Sequence, residues 1–153
     1  MYKNIVVGTD FSETADQALH HAAELAKTCG AAVHVVSAFK PVMSGNVAAS
    51  SLEAMAFGGV TSLQDAQSKI ADEVESRLGR IAGDMSAKGL TVKTYSAAGD
   101  PADALLDVAE STKADVIVIG NRGMGGAKRL ILGSVPNKIS HHAPCSVLIV
   151  HTT

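Results

Sequence analysis

The residues best suited to chemistry stand directly behind an apolar run, Val116-Ile117-Val118-Ile119: Gly120 and Gly123 come first, then Gly133 and Ser134 after nine intervening residues. Glycine lets a main chain approach a ligand closely, and unpaired N–H groups at a helix start attract anions, so the spacing predicts a phosphate cradle. Neither common phosphate-loop fingerprint is met: no GxxxxGK[ST] occurs, and Gly123-Met124-Gly125-Gly126 does not complete GxGxxG. The second candidate is Asp10, which follows the run Ile5-Val6-Val7 within Thr9-Asp10-Phe11-Ser12. It reads either as a helix cap or as a carboxylate that accepts hydrogen bonds from a ligand. Lys128 and Arg129, inside the glycine-rich segment, read as solvated loop charges or as clamps on phosphate.

Other chemistries have less behind them. His20-His21 and His141-His142 are adjacent pairs. Neighbours on a helix point about 100° apart, so neither pair chelates one ion, and no metal site is expected. No GxSxG elbow, Ser-His-Asp order or carboxylate cluster accompanies Asp10, so no catalytic residue is assigned. Cys29 and Cys145 lie far apart, outside any CxxC spacing, and read as reduced, buried thiols.

The elements that must position these residues alternate along the chain. Ile5 to Val7 reads as a strand; Ala15, Ala18, Leu19, Ala22 and Ala26 then recur at helical spacing until Gly30. Val33 to Ala38 reads as a second strand, and Leu63, Ala66, Ile70, Val74, Leu78, Ile81 and Met85 mark the clearest amphipathic helix, which Gly89 would end. Leu90 to Ala97 alternates as a third strand, and Asp100-Pro101 resembles an N-cap with a first-turn proline. Val116 to Ile119 is the fourth strand; Ser134 to about His142 forms a last helix with Pro136 in its first turn, and Ser146 to Val150 is the fifth strand. Strands alternating with helices predict an α/β fold: a doubly wound, five-stranded parallel sheet, Rossmann-like, in the order 3-2-1-4-5 with helices on both faces. In such a sheet the ligand crevice lies where the winding reverses, so Asp10 and Gly120 would face each other across it.

With 153 residues one domain spanning 1–153 is expected, with 40–60 as a long loop that is either mobile or a lid. An apolar content of 46% against 18% charge excludes a disordered tail, and a net charge of −2 leaves no basic footprint for nucleic acid or an anionic membrane. No basic-then-apolar leader and no apolar run near ~18 residues occur, so a cytoplasmic location is expected. The two edge strands differ: the third carries Lys93, whereas Val147-Leu148-Ile149-Val150 carries no charge and invites pairing with another chain.

Taken together, the chain resembles the universal stress protein family over essentially its whole length. The resemblance rests on VVGTDFSETA after the first strand, GDP before the third helix, and VIGNRGMGGAKRLILGSV around the fourth strand, where G-x2-G-x9-G-[ST] falls on Gly120, Gly123, Gly133 and Ser134. It implies a homodimer through strand 146–150 and an adenine nucleotide at the carboxyl ends of strands one, two and four. Gly8, Thr9 and Asp10 would line the adenosine, with Asp10 accepting from ribose hydroxyls, and the main chain around Ser37 and Ala38 would meet the adenine edge. Gly120, Asn121, Arg122 and Gly123 would lie against ribose and phosphates; Gly133, Ser134 and Val135 would present N–H groups to phosphate oxygens. The implied ligand is ATP, AMP or cyclic AMP, with Mg2+ accompanying ATP only. Two positions depart from the family's pattern: Pro136 has no N–H, and Asn121 stands where a hydroxyl residue is common. Fewer phosphate donors favour AMP or a cyclic nucleotide. The function implied is a stress-response or regulatory protein that binds nucleotide without turning it over; the alternatives are a dimeric protein-interaction scaffold and a slow ATP hydrolase.

Overall fold

Short β-branched runs alternating with amphipathic segments build five strands and four helices among the residues that the computed structural model describes, 1–41, 63–122 and 132–151. In chain order these are β1 (Asn4–Gly8), α1 (Glu13–Cys29), β2 (Ala32–Phe39), α2 (Leu63–Ala87), β3 (Val92–Ala98), α3 (Pro101–Ser111), β4 (Val116–Gly120), α4 (Ser134–His142) and β5 (Ser146–Val150). All the strand pairs are parallel, and the order is β3-β2-β1-β4-β5, as the sequence predicts.

The pairing register sorts the apolar residues onto two faces. Ile5 stands opposite Val33 and Val116, and Val7 opposite Val35 and Val118. These six residues form one buried face, packed with Ala18, Ala22 and Ala26 of α1 and with Val74 and Leu78 of α2. The intervening residues point the other way, since side chains alternate along a strand. There Val6, Val36, Ile117 and Ile119 pack with Ala102, Leu105 and Ala109 of α3 and Ile139 of α4. A sheet buried on both faces explains why β1 and β4 at its centre carry the unbroken apolar runs Ile5-Val6-Val7 and Val116-Ile117-Val118-Ile119.

Local chemistry sets the helix ends. Ser12 caps α1, its Oγ accepting the Ala15 N–H at 3.2 Å, and Gly30 ends the helix in the left-handed region at φ 67°. Asp100 caps α3 by accepting the Asp103 N–H at 3.0 Å, with Pro101 as the first helical residue. The third strand starts at Val92, two residues later than its alternation suggests. Gly89 N–H and Leu90 N–H are spent on the last turn of α2, donating to the carbonyls of Ser86 (2.9 Å) and Met85 (3.2 Å).

Cys29 and Cys145 are free, partly buried thiols, and burial pushes the Cys145 thiol up from its ordinary pKa. Among the described residues no helix is long and apolar enough to cross a membrane.

Candidate functional site

The winding reverses between β1 and β4, and a cleft of about 350 Å³ opens at their carboxyl ends. That volume lies in the ~300–1,000 Å³ range of small-molecule sites. Its floor is apolar, made by Gly8, Val36, Ala38, Leu105 and Ile119. Thr9 and Asp10 after β1, Gly120 and Arg122 at the end of β4, and Gly133, Ser134 and Val135 at the start of α4 complete the lining, together with Pro101 and Pro136. Such a site suits a ligand with a flat apolar part and a polar, anionic end.

The Asp10 rim is built by overlapping turns. Buried Thr9 donates its N–H to the Val36 carbonyl at 2.9 Å, and its Oγ1 accepts the Phe11 N–H at 3.0 Å. Asp10 Oδ1 accepts the Ser12 N–H at 3.0 Å and the Ser12 hydroxyl as well. Ser12, not Asp10, is therefore the cap of α1, and Asp10 braces it. A carboxylate offers about four acceptor positions, so bracing Ser12 and accepting from a ligand hydroxyl are compatible.

The glycines divide by cause. A Cβ on Gly120 would lie 2.6 Å from Thr14 Cγ2 and 3.2 Å from the Thr14 carbonyl oxygen, so the first turn of α1 requires glycine there whatever the cleft holds. A Cβ on Gly8 would lie 2.9 Å from a Leu105 methyl. At Gly133 it would meet only ordinary contacts, the Asn121 oxygen at 3.4 Å and Pro136 Cδ at 3.5 Å. Gly123, Lys128 and Arg129, like nearly all of the 40–60 connection, lie outside the described residues.

Asn121 does not line the cleft. It is buried; its N–H donates to the Val150 carbonyl at 2.9 Å, and its own carbonyl accepts the Gly133 N–H at 3.0 Å. One residue thus ties the ends of β4 and β5 to the cap of α4. The Gly133 N–H, expected to meet a phosphate, is engaged within the protein. Gly133 is the N-cap of α4 and its carbonyl accepts the Asn137 N–H at 3.0 Å. Of the first-turn donors, Ser134 and Val135 carry N–H groups with no partner within the helix, and Pro136 has none. Ser134 and Val135 both line the cleft at this helix end.

Ser37 also lies away from the cleft: it is buried, while its neighbours Val36 and Ala38 line the floor. The alternation of β2 places Val36 and Ala38 on one face and Ser37 on the other. Sequence reasoning did not single out Val36, Pro101, Leu105 or Ile119. Their signal is position alone, on the carboxyl halves of β2 and β4 and in the first turns of α3.

Two polar groupings lie outside the cleft lining. Lys138 of α4 pairs with Asp103 at 2.8 Å and Asp100 at 3.6 Å, joining the two helices that flank the cleft. The Asp103 N–H, and then the Lys138 ammonium, hold the Asp100 carboxyl below its ordinary pKa. His34 is buried on β2, with Nδ1 against the Tyr95 hydroxyl at 3.0 Å and Nε2 against Asn4 Oδ1 at 3.3 Å. Burial, and then the charge of Lys93, lower its pKa. Among the described residues no group of three or more His, Cys, Asp or Glu gathers as a metal site.

The chain's relatives fit this geometry. The Universal stress protein family model matches residues 1–151. A universal stress protein of Mycobacterium tuberculosis is 36% identical over 152 residues, covering 99% of this chain and 98% of its own. Among solved structures, the hypothetical protein MJ0577 superimposes with a TM-score of 0.80 at 25% identity, over 100% of this chain and 98% of its own. A universal stress protein in complex with cAMP superimposes with a TM-score of 0.69 at 27% identity, over 99% of this chain and 98% of its own. With the sheet order, the strand-to-glycine transition and the matched family pattern in agreement, the chain belongs to the universal stress protein family.

Proposed function

We propose that the protein binds an adenine nucleotide in the cleft between β1 and β4 and acts as a cytoplasmic stress-response or regulatory protein by binding, not turnover. One observation carries the reading: a single cleft with an apolar lining brings together Asp10 and the first-turn residues Ser134 and Val135. The base packs on Val36, Ala38, Leu105 and Ile119, the ribose hydroxyls donate to Asp10, and phosphate meets the helix start, where the macrodipole favours an anion. A related protein whose structure is described as a complex with cAMP supports that ligand class.

Among the described residues the phosphate donors are few, which favours one phosphate over three. Gly133 gives its N–H to Asn121, and Pro136 has none. AMP or cyclic AMP is therefore the preferred ligand over ATP. Asp10 is also the single carboxylate among the described cleft residues, which gives Mg2+ little to hold and water no second base. The uncharged β5 edge, with Leu148 exposed, pairs with a second copy to form the homodimer.

Denaturing the purified protein and identifying released nucleotide by mass spectrometry tests this reading. Recovery of an adenine mononucleotide is expected. An empty protein that shows no calorimetric response to AMP, cyclic AMP or ATP overturns it.

A further inference from the structure

Between Asp10 and Ser12 the chain makes a turn that its residue type does not favour. Phe11 sits at φ 63°, in the left-handed region that favours glycine and that a bulky side chain adopts only where its surroundings over-determine it. Two things hold it there. Its N–H donates to Thr9 Oγ1 at 3.0 Å, and its ring packs against the core that contains Val74 and Leu78 of α2. On the same helix the Arg77 guanidinium lies 5.2 Å from the ring centroid, and Arg77 is itself steadied by Glu73 at 3.0 Å. The left-handed turn folds the Ser12 N–H back onto Asp10 Oδ1, so it sets where the carboxylate of the cleft rim stands.

We infer that Phe11, held by Arg77 of α2, is the positioning residue that fixes the Asp10 carboxylate for its ligand; this rests on the adenine-nucleotide reading of the cleft. Without the ring's anchorage Phe11 relaxes toward negative φ. The Ser12 N–H then leaves Asp10 Oδ1, and the acceptor turns away from the ribose. Phe11 touches no ligand itself and does not line the cleft. Helix α2 thereby gains a mechanical connection to ribose recognition.

The test compares AMP with 2′,3′-dideoxy-AMP, which lacks the hydroxyls that Asp10 would accept from. Phe11→Ala is expected to weaken AMP about tenfold, the scale of one hydrogen bond to a charged group, and to change the dideoxy analogue less than about twofold. Arg77→Met, which keeps the ring in the core, should act in the same direction more weakly, and Phe11→Tyr should behave as wild type. In the ligand-free protein, the Ser12 amide should exchange with solvent faster in Phe11→Ala than in wild type. Equal weakening of AMP and its analogue, or an unchanged Ser12 amide, overturns the inference. If wild type binds no nucleotide, the functional reading and the ribose-positioning role fail together, while the Ser12 exchange rate still reports whether Phe11 holds Asp10.

Discussion

The main-chain N–H of Gly133 donates to the Asn121 carbonyl at 3.0 Å, while the Asn121 N–H donates to Val150 at 2.9 Å. The helix start at the cleft is therefore hung from the ends of β4 and β5, and the donors it presents at that end are those of Ser134 and Val135. Its position is set by the sheet even though the segment joining it to β4 is long.

The glycines of the motif differ in what they tolerate. Gly120→Ala drives a methyl into Thr14 and is expected to destabilise the fold by about 1–3 kcal/mol, lowering the melting temperature by roughly 3–10 °C. Thr14→Ser, which removes the colliding Cγ2, should recover part of that loss in a double-mutant cycle. Gly133→Ala, with only ordinary contacts, should cost about 1 kcal/mol or less. Thermal denaturation of the four variants checks the ranking, and equal losses at both glycines would refute it.

Pro136 limits the phosphate grip. Pro136→Ala restores an N–H in the first turn of α4 and is expected to tighten AMP roughly fivefold, the worth of one ordinary hydrogen bond. Adenosine, which has no phosphate, should bind the variant and wild type alike. Calorimetric titration of both ligands distinguishes a restored donor from a reshaped cleft, which would move the two together.

Stability should carry the signature of His34. Its folded pKa lies below the ordinary value of 6.5, so the neutral ring is the form the fold accepts. The contribution is complete above about pH 6.5 and is lost as pH falls from there toward the lower folded value, because the unfolded chain takes up the proton first. Between pH 7.5 and 5.5 wild type should therefore lose more melting temperature than His34→Gln. Equal losses would mean that other groups govern the acid limb.

The β5 edge predicts the assembly state. Leu148 is 38% exposed on a strand whose side chains carry no charge. Leu148→Lys should leave the fold intact and halve the mass seen by light scattering, since an edge charge opposes strand pairing. A wild type that already scatters as a monomer would remove the β5 dimer from the account.

The sequence made the strand order legible because β1, β4 and β5 are short runs rich in Val and Ile, β3 alternates, and the helices have readable ends: Gly30, Gly89, Asp100 and Pro136 all act where their chemistry says they should. The site was legible less evenly. Asp10, Gly120, Gly133, Ser134 and Val135 line the cleft, but spacing alone cannot show that Gly120 answers to Thr14, or that Asn121 is a buried tie with its main chain spent on β5 and Gly133. Those facts depend on residues 106 and 29 positions away. The left-handed turn at Phe11 was hidden for another reason: nothing about phenylalanine announces positive φ, and part of what holds it there comes from α2, more than sixty residues along.

The most direct test of the central claim follows the Ser134 and Val135 amides by NMR while AMP is titrated into the protein. Saturable shifts at both amides, much smaller with adenosine, are expected if phosphate sits at the start of α4. Binding without any change at these two amides, or no saturable change anywhere, would contradict the assignment of the cleft as an adenine-nucleotide site.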